Sequence, residues 1–271
     1  MPLDSSDPRA FAPDLIEAAT FLDWLAPGVK DFTFAAFPEA RAADGSKRAD
    51  QALTGEFHGT LDQCAAELTR RNELGAGIFY TVNRTNLKGR KASDILGVRA
   101  FWCDDDNGRD IQFPLAPDVT LATSGIKRQH LWIVEGLSAE DHARLMAVMV
   151  ERYGSDPGAK DLSRVLRLPG FCHMKGTPQL VRIVGGRFSK DSSCDEYTRE
   201  QIFAAFQPPE LKLAPSAPLP NRIRVAGELD TEGAITTARA IAAARPAAEE
   251  GERNRFCYNL ACRLYDEGIS P

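Results

Sequence analysis

The stretch Val98-Arg99-Ala100-Phe101-Trp102-Cys103-Asp104-Asp105-Asp106 decides how the rest of the chain is read. A short, apolar and aromatic run predicts a buried strand from Val98 to Cys103, and the run stops on three adjacent carboxylates. Side chains alternate along a strand, so Asp104 and Asp106 project to the same side. Two oxygen ligands then converge at a strand end, where like charges repel unless a cation lies between them. Hard divalent cations suit such a pair, and magnesium takes carboxylate oxygens at about 2.0–2.1 Å while leaving positions for phosphates. Read from these residues alone, a solvated acidic turn is the alternative.

Elements on either side are legible from periodicity and caps. Leu15, Ala18, Ala19, Leu22 and Leu25 share a helical face over residues 14 to 25, and Pro27-Gly28 ends the run. Thr60 and Gln63 stand at capping-box spacing before a helix whose buried face is Leu61, Cys64, Ala65 and Leu68, ending near Gly75. Gly77 to Asn83 reads as a second buried strand, followed by a polar loop with Lys88, Arg90 and Lys91. Short strands near 119–123 and 130–134 flank a turn at Ser124-Gly125, as in a hairpin. A helix capped by Ser138 and Asp141 carries Leu145, Met146, Met149 and Val150 and ends at Gly154. From Val165 to Val184 short strands return. Prolines at 208, 209, 215, 218 and 220 predict a linker over 208–228, with a helical segment over 229–271. The main domain is therefore 1–207, and the chain's stop at Pro271 suggests a longer protein cut within a second domain.

Further residues carry chemistry. Asp161 stands beside Ser163, Arg164 and Arg167, and arginine forks suit phosphate oxygens. Asp161 is thus a candidate third carboxylate for a two-metal site. Asp156 competes with it, and a salt-bridged surface segment is the plain alternative for the arginines. His130 follows Lys127 and Arg128 and opens an apolar strand. It suits a phosphate contact, or simply packing. His58, His142 and His173 form no metal or triad pattern, and no GxxxxGK[ST] or GxGxxG loop occurs. Trp102, Trp132, Phe79 and Tyr80 read as core, although Phe79 and Tyr80 also suit base stacking.

Composition sets outer limits. Hydrophobic residues make up 43% and charged residues 26% of 271, an ordinary globular balance. The net charge of −5 gives no global reason to expect a nucleic-acid partner, so any basic strip must be local. Six cysteines without a Cys-x-x-Cys pair read as reduced thiols, and structural zinc is not expected. No apolar run spans a membrane and no leader is recognisable, so a cytoplasmic location is expected.

The order of these segments resembles the archaeo-eukaryotic primase superfamily, in its plasmid and phage primase-polymerase branch. The motifs are Phe101-Trp102-Cys103-Asp104-Asp105-Asp106, then Ser124-Gly125 leading to His130-Leu131-Trp132, then Asp161 with Ser163-Arg164-Val165-Leu166-Arg167-Leu168-Pro169-Gly170 and Lys175. The likeness covers about residues 30 to 190, and one departure is Arg128, where the family often has a small residue two positions before its histidine. The resemblance implies an α+β fold, with an RRM-like antiparallel sheet and flanking helices, plus the small C-terminal helical segment. It also implies template-directed nucleotidyl transfer in DNA replication. Asp104, Asp106 and Asp161 would hold two Mg2+ or Mn2+ ions. His130, Ser163, Arg164, Arg167, Lys175, Lys127 and Arg128 would hold the nucleoside triphosphate, with His130 also counted as catalytic. A single-stranded DNA template would lie along Arg84, Lys88, Arg90 and Lys91, and a helicase domain would be a natural continuation of the chain. The competing readings are a metal-dependent nuclease or phosphodiesterase, and a non-catalytic single-stranded-DNA or origin-binding module.

Overall fold

The computed structural model of the chain describes residues 12–39, 51–134, 136–188 and 196–209. In chain order its elements are α1 (Leu15–Leu25), β1 (Asp31–Pro38), β2 (Gly55–Thr60), α2 (Leu61–Glu73), β3 (Ala76–Thr81), β4 (Arg84–Thr85), β5 (Ile95–Gly97) and β6 (Ala100–Asp105), followed by β7 (Val119–Ser124) and β8 (Lys127–Ile133). After these come α3 (Ala139–Tyr153), β9 (Val165–Arg167), β10 (Cys172–His173), β11 (Gln179–Leu180), β12 (Arg182–Gly185) and α4 (Arg199–Phe206). Two four-stranded antiparallel sheets, ordered β2-β1-β3-β9 and β12-β7-β8-β6, form the frame of an α+β fold.

Local chemistry explains the helix ends. Asp14 accepts the Glu17 N–H at the start of α1, and Ser138 accepts the Asp141 N–H at the start of α3. The Thr60–Gln63 capping box forms in both directions. Gly154 takes a left-handed φ of 61° to close α3, a conformation without steric penalty for glycine. In α1 the buried set is Ala18, Phe21, Leu22 and Leu25, while Leu15 and Ala19 are exposed. The expected face is therefore rotated towards Phe21, whose ring meets Tyr80 edge-on at 5.0 Å. In α3 Val148 is buried and Val150 only partly, a similar small rotation.

The acidic strand runs from Ala100 to Asp105, so Asp104 and Asp105 belong to the sheet and only Asp106 lies beyond it. The hairpin turn is Gly125-Ile126, and β8 starts at Lys127, three residues before the expected start at His130. Helix α4 adds to the expected elements; Arg152 and Arg144 tie its end to α3 through the carbonyls of Phe206, Gln207, Pro208 and Pro209. Asn83 is fully buried and joins the sheets, donating to the Leu162 carbonyl at 2.8 Å and accepting the Arg99 N–H at 2.9 Å. Trp102, Trp132 and Tyr80 are core residues, whereas Phe79 is partly exposed. The Cys64 and Cys103 thiols are buried. No helix among the described residues is long and apolar enough to cross a membrane. Beyond Pro209, the expected linker and the helical segment at 229–271 lie outside the described residues.

Candidate active site

Strand parity makes the site. In the β6–β8 ladder Asp104 pairs with Gln129, and Cys103 pairs with His130. Paired residues share a face, so Gln129 stands beside Asp104, with its Nε2 3.4 Å from Asp104 Oδ1. The turn after α3 is laced to the same strand end. The Asp104 N–H donates to Ser155 Oγ at 2.9 Å, and the Asp104 carbonyl accepts the Asp156 N–H at 3.0 Å. The Asp104 carboxyl is pushed up to about 6, first by burial and then by the negative charges of Asp106 and Asp156, against the Gln129 hydrogen bond and Arg167. Asp106 is exposed and pairs with Lys127 Nζ at 2.8 Å.

Asp105 does different work. It points to the opposite face and is fully buried. Its oxygens accept the N–H groups of Asn107 and Arg109 and the Arg109 Nε. Burial works to raise its carboxyl, but these donors hold it below the ordinary range.

A cationic wall faces the acids. At the end of β9 Arg167 makes a two-pronged pair with Glu39, at 3.0 Å and 2.6 Å, and its guanidinium lies 4.9 Å from the Phe79 ring centre. Glu39 also accepts the Met174 N–H at 3.0 Å and lies 3.9 Å from Lys175 Nζ. A Cβ at Gly77 would come within 2.5 Å of the Glu39 carboxyl, so glycine is required for this approach. Burial raises the Glu39 carboxyl, but Arg167 and the Met174 N–H bring it below its ordinary value. His173 is lowered to about 4, first by burial, then by Arg167, with Lys175 and Lys127 adding to the effect and Glu39 opposing it. Its Nδ1 is buried without a hydrogen-bond partner. Lys127, Arg167, His173 and Lys175 thus act on one another beside Asp104 and Asp106.

The structure gives several of the expected positions other partners. His130 shares a face with Asp105 rather than Asp104; its Nδ1 lies 3.1 Å from Thr120 Oγ1 and its ring packs on Phe113. Because β8 begins at Lys127, the odd-numbered residues Lys127 and Gln129 face the acids, while His130 and Arg128 do not. Arg128 instead donates to the carbonyls of Gly125 and Lys127. Asp161 is engaged within its own segment: Arg164 Nη2 lies 2.7 Å from its Oδ2, and Ser163 Oγ donates to its Oδ1 at 3.0 Å. The third carboxylate acting on Asp104 is Asp156. Glu39, Gln129 and His173 carry no signal that singles them out in the sequence. Only strand parity from the Gly125 turn could have pointed to Gln129, and no local pattern marks Glu39.

Of the basic residues expected to line a template, Arg84 lies in β4 and Lys88, Arg90 and Lys91 lie between β4 and β5. Arg90 pairs with Glu56 at 2.9 Å and lies over the Phe37 ring, whereas Lys88 and Arg84 are exposed and Lys91 follows on the same loop.

Residues 104–204 match the family model described as the RepB DNA-primase N-terminal domain. Among solved structures the chain is similar to the AEP domain of the cyanophage S-2L primase-polymerase, with a TM-score of 0.55, 18% identity, and coverage of 72% of this chain and 99% of that one. It also matches the primase RepB' (TM-score 0.45, 17% identity, 64% and 56% covered) and the catalytic domain of that primase in complex with initiator DNA (0.46, 18%, 71% and 91%). Comparison with curated protein sequences gives no significant match. The fold is similar to that of the cyanophage AEP domain. The family match covers 101 of the 271 residues, from the acidic strand end to helix α4.

Proposed function

We propose that this chain is a replication primase-polymerase that joins nucleoside triphosphates on a single-stranded DNA template by metal-assisted nucleotidyl transfer. The observation that carries this reading is the meeting of two opposed charge sets at one set of strand ends. Asp104, Asp106 and Asp156 form the acidic side, and Lys127, Arg167 and Lys175 form the cationic side, with the neutral His173 among them.

The donor chemistry fits a divalent ion. Among the described residues no three His, Cys, Asp or Glu side chains are grouped closely enough to hold a metal by themselves. Magnesium needs no such cage, because it is commonly held by one or two carboxylates and completed by substrate phosphates. The crowding that raises Asp104, and the buried Gln129 Oε1 without a partner, support oxygen ligation there. Asp104 and Asp106 would hold Mg2+ or Mn2+, with Asp156 in preference to Asp161. A bound ion would neutralise triphosphate charge and lower the cost of activating a 3′ hydroxyl.

The protein's own groups position the reactants. Lys127 and Lys175 would meet phosphate oxygens, and Arg167, held by Glu39, would place a fixed positive charge beside the transferring phosphoryl group. Gln129 would orient Asp104. The partly exposed Phe79 and the strip Arg84, Lys88, Arg90 and Lys91 would guide the template.

The test is incorporation of labelled nucleotide on a single-stranded template in Mn2+, with and without primer, comparing the unaltered chain with Asp104→Ala plus Asp106→Ala. Product from the unaltered chain alone is expected. Absence of product, or template degradation in its place, would overturn the reading.

A further inference from the structure

Strand direction sends a second group of cations to the other end of the molecule. Asp104 and Glu39 lie at the C-terminal ends of β6 and β1. Lys30 immediately precedes β1, Arg99 immediately precedes β6, and Arg84 opens β4. Arg99 and Asp104 are separated by five residues of extended chain, roughly 17 Å at about 3.4 Å per residue. This is a place apart from the acidic cleft.

Two cavities, of about 630 Å³ and 330 Å³, meet there, and both are lined by Arg84 and Arg99. Lys30, Thr33 and Thr85 line the smaller one. Leu25, Val98, Ile133 and Leu137 give the larger one an apolar wall. Two carboxylates stand at the margins, Asp31 in the smaller cavity and Glu196 in the larger.

The arginines stand out by their partners. Arg71, Arg90, Arg109, Arg164 and Arg167 each pair with a carboxylate. Among the described residues Arg84, Arg99, Arg128 and Arg152 have no ion pair; Arg128 and Arg152 donate to backbone carbonyls instead, whereas Arg84 and Arg99 do not, and Arg99 rests its guanidinium 4.9 Å from the Phe32 ring centre. Burial, and then repulsion from Arg84, push Arg99 down to about 10. A partly buried guanidinium without an anion is costly, and a second beside it adds to the cost. An anion with several oxygens relieves both, and the guanidinium fork matches phosphate geometry. Cavities of these sizes, with an apolar wall and a few convergent polar groups, are typical of small-molecule sites.

We propose that Arg84, Arg99 and Lys30 form a second site that binds a nucleoside phosphate unit, the phosphate on the cations and the base against the apolar wall, and that its occupant is one nucleotide of a single strand. The loop that begins at Arg84 carries Lys88, Arg90 and Lys91 towards Phe37, at the cleft end of β1, giving a strand a continuous path. This deepens the template reading above but is tested by binding, which is independent of incorporation.

The experiment measures fluorescence anisotropy of labelled (dT)12, and competition by dTMP, with the full chain in EDTA so that no metal contributes. Arg84→Gln with Arg99→Gln should weaken (dT)12 binding tenfold or more. The slope of log affinity against log salt should become shallower by about 0.7 for each phosphate that the variant no longer neutralises. Lys30 is exposed, so Lys30→Gln should weaken binding severalfold without affecting folding, and it serves if the double variant fails to fold. (dT)12 affinity within twofold of the unaltered chain in both variants, together with unchanged dTMP competition, would overturn the site. Weakened (dT)12 binding in the variants, with no competition by dTMP in the unaltered chain, would keep the cations as strand contacts and overturn the nucleotide pocket. Loss of incorporation with (dT)12 binding intact would instead count against the catalytic reading.

Discussion

Glu39→Gln should destabilise the protein more than any exposed substitution, because it breaks a buried pair and leaves a charge behind. The Glu39 and Arg167 side chains are 3% and 10% exposed, and their two-pronged pairing spans 2.6 Å and 3.0 Å. Removing one partner of such a pair costs about 3–5 kcal/mol, most of it from the uncompensated Arg167 guanidinium. Gln keeps the volume that Gly77 makes room for, so the loss is electrostatic rather than a cavity effect. Arg167→Met alone should cost a similar amount, since Glu39 would then be buried opposite the Met174 N–H with only the distant Lys175. Replacing both should cost less than the sum by about 2 kcal/mol or more, the signature of a coupled pair. Urea unfolding of the four proteins at neutral pH measures this directly. Single-variant losses below about 1 kcal/mol, or strict additivity, would refute the view that Arg167 is anchored by Glu39.

Two further predictions concern parity and pH. Gln129→Ala should lower incorporation at least tenfold with little change in stability, whereas His130→Ala, on the face away from Asp104, should act mainly through packing against Phe113 and Thr120; the opposite ranking in kcat would refute the register argument. His142 is buried against Trp102 and lowered to about 4 by burial, so the fold favours its neutral form. That contribution is complete above about pH 6.5 and is lost as pH falls towards 4, amounting to about 3 kcal/mol. Asp104, raised to about 6, gives the opposite slope over part of this range, so comparison with His142→Gln isolates the histidine. Urea stability measured across pH should fall less steeply in His142→Gln, and an unchanged slope would refute the assignment.

Much of the local structure is legible in the residues. The Thr60–Gln63 box, the Ser138 cap and the Gly154 stop all stand where the spacing predicts them, because capping depends on groups within three or four positions of one another. The buried strand leading to Asp104 is equally legible, since a strand covered on both sides needs only an apolar run. Helix faces are less so: Phe21 replaces Leu15 on the inner face of α1 because the sheet it meets, through Tyr80, sets the rotation.

The site is half visible. Three carboxylates in a row, and the arginines after Asp161, announce charge chemistry, and the order of the motifs carries the superfamily resemblance. Strand parity cannot be read in the same way. One residue of difference in where β8 begins exchanges Gln129 for His130 beside Asp104, since side chains alternate with a period of two. Nor does the sequence reveal Glu39, because its partner Arg167 is 128 residues away along the chain and is reached only when β1, β3 and β9 form one sheet. The proposal of Asp156 over Asp161 rests on the hydrogen bond that ties the turn after α3 to the end of β6. The sequence alone determined which chemistry is present, the acids, the forked cations and the elements that carry them, because these follow from residue type and short-range spacing. The tertiary structure alone decided which of them meet, because sheet register and long-range pairing are set by packing between segments far apart in the chain.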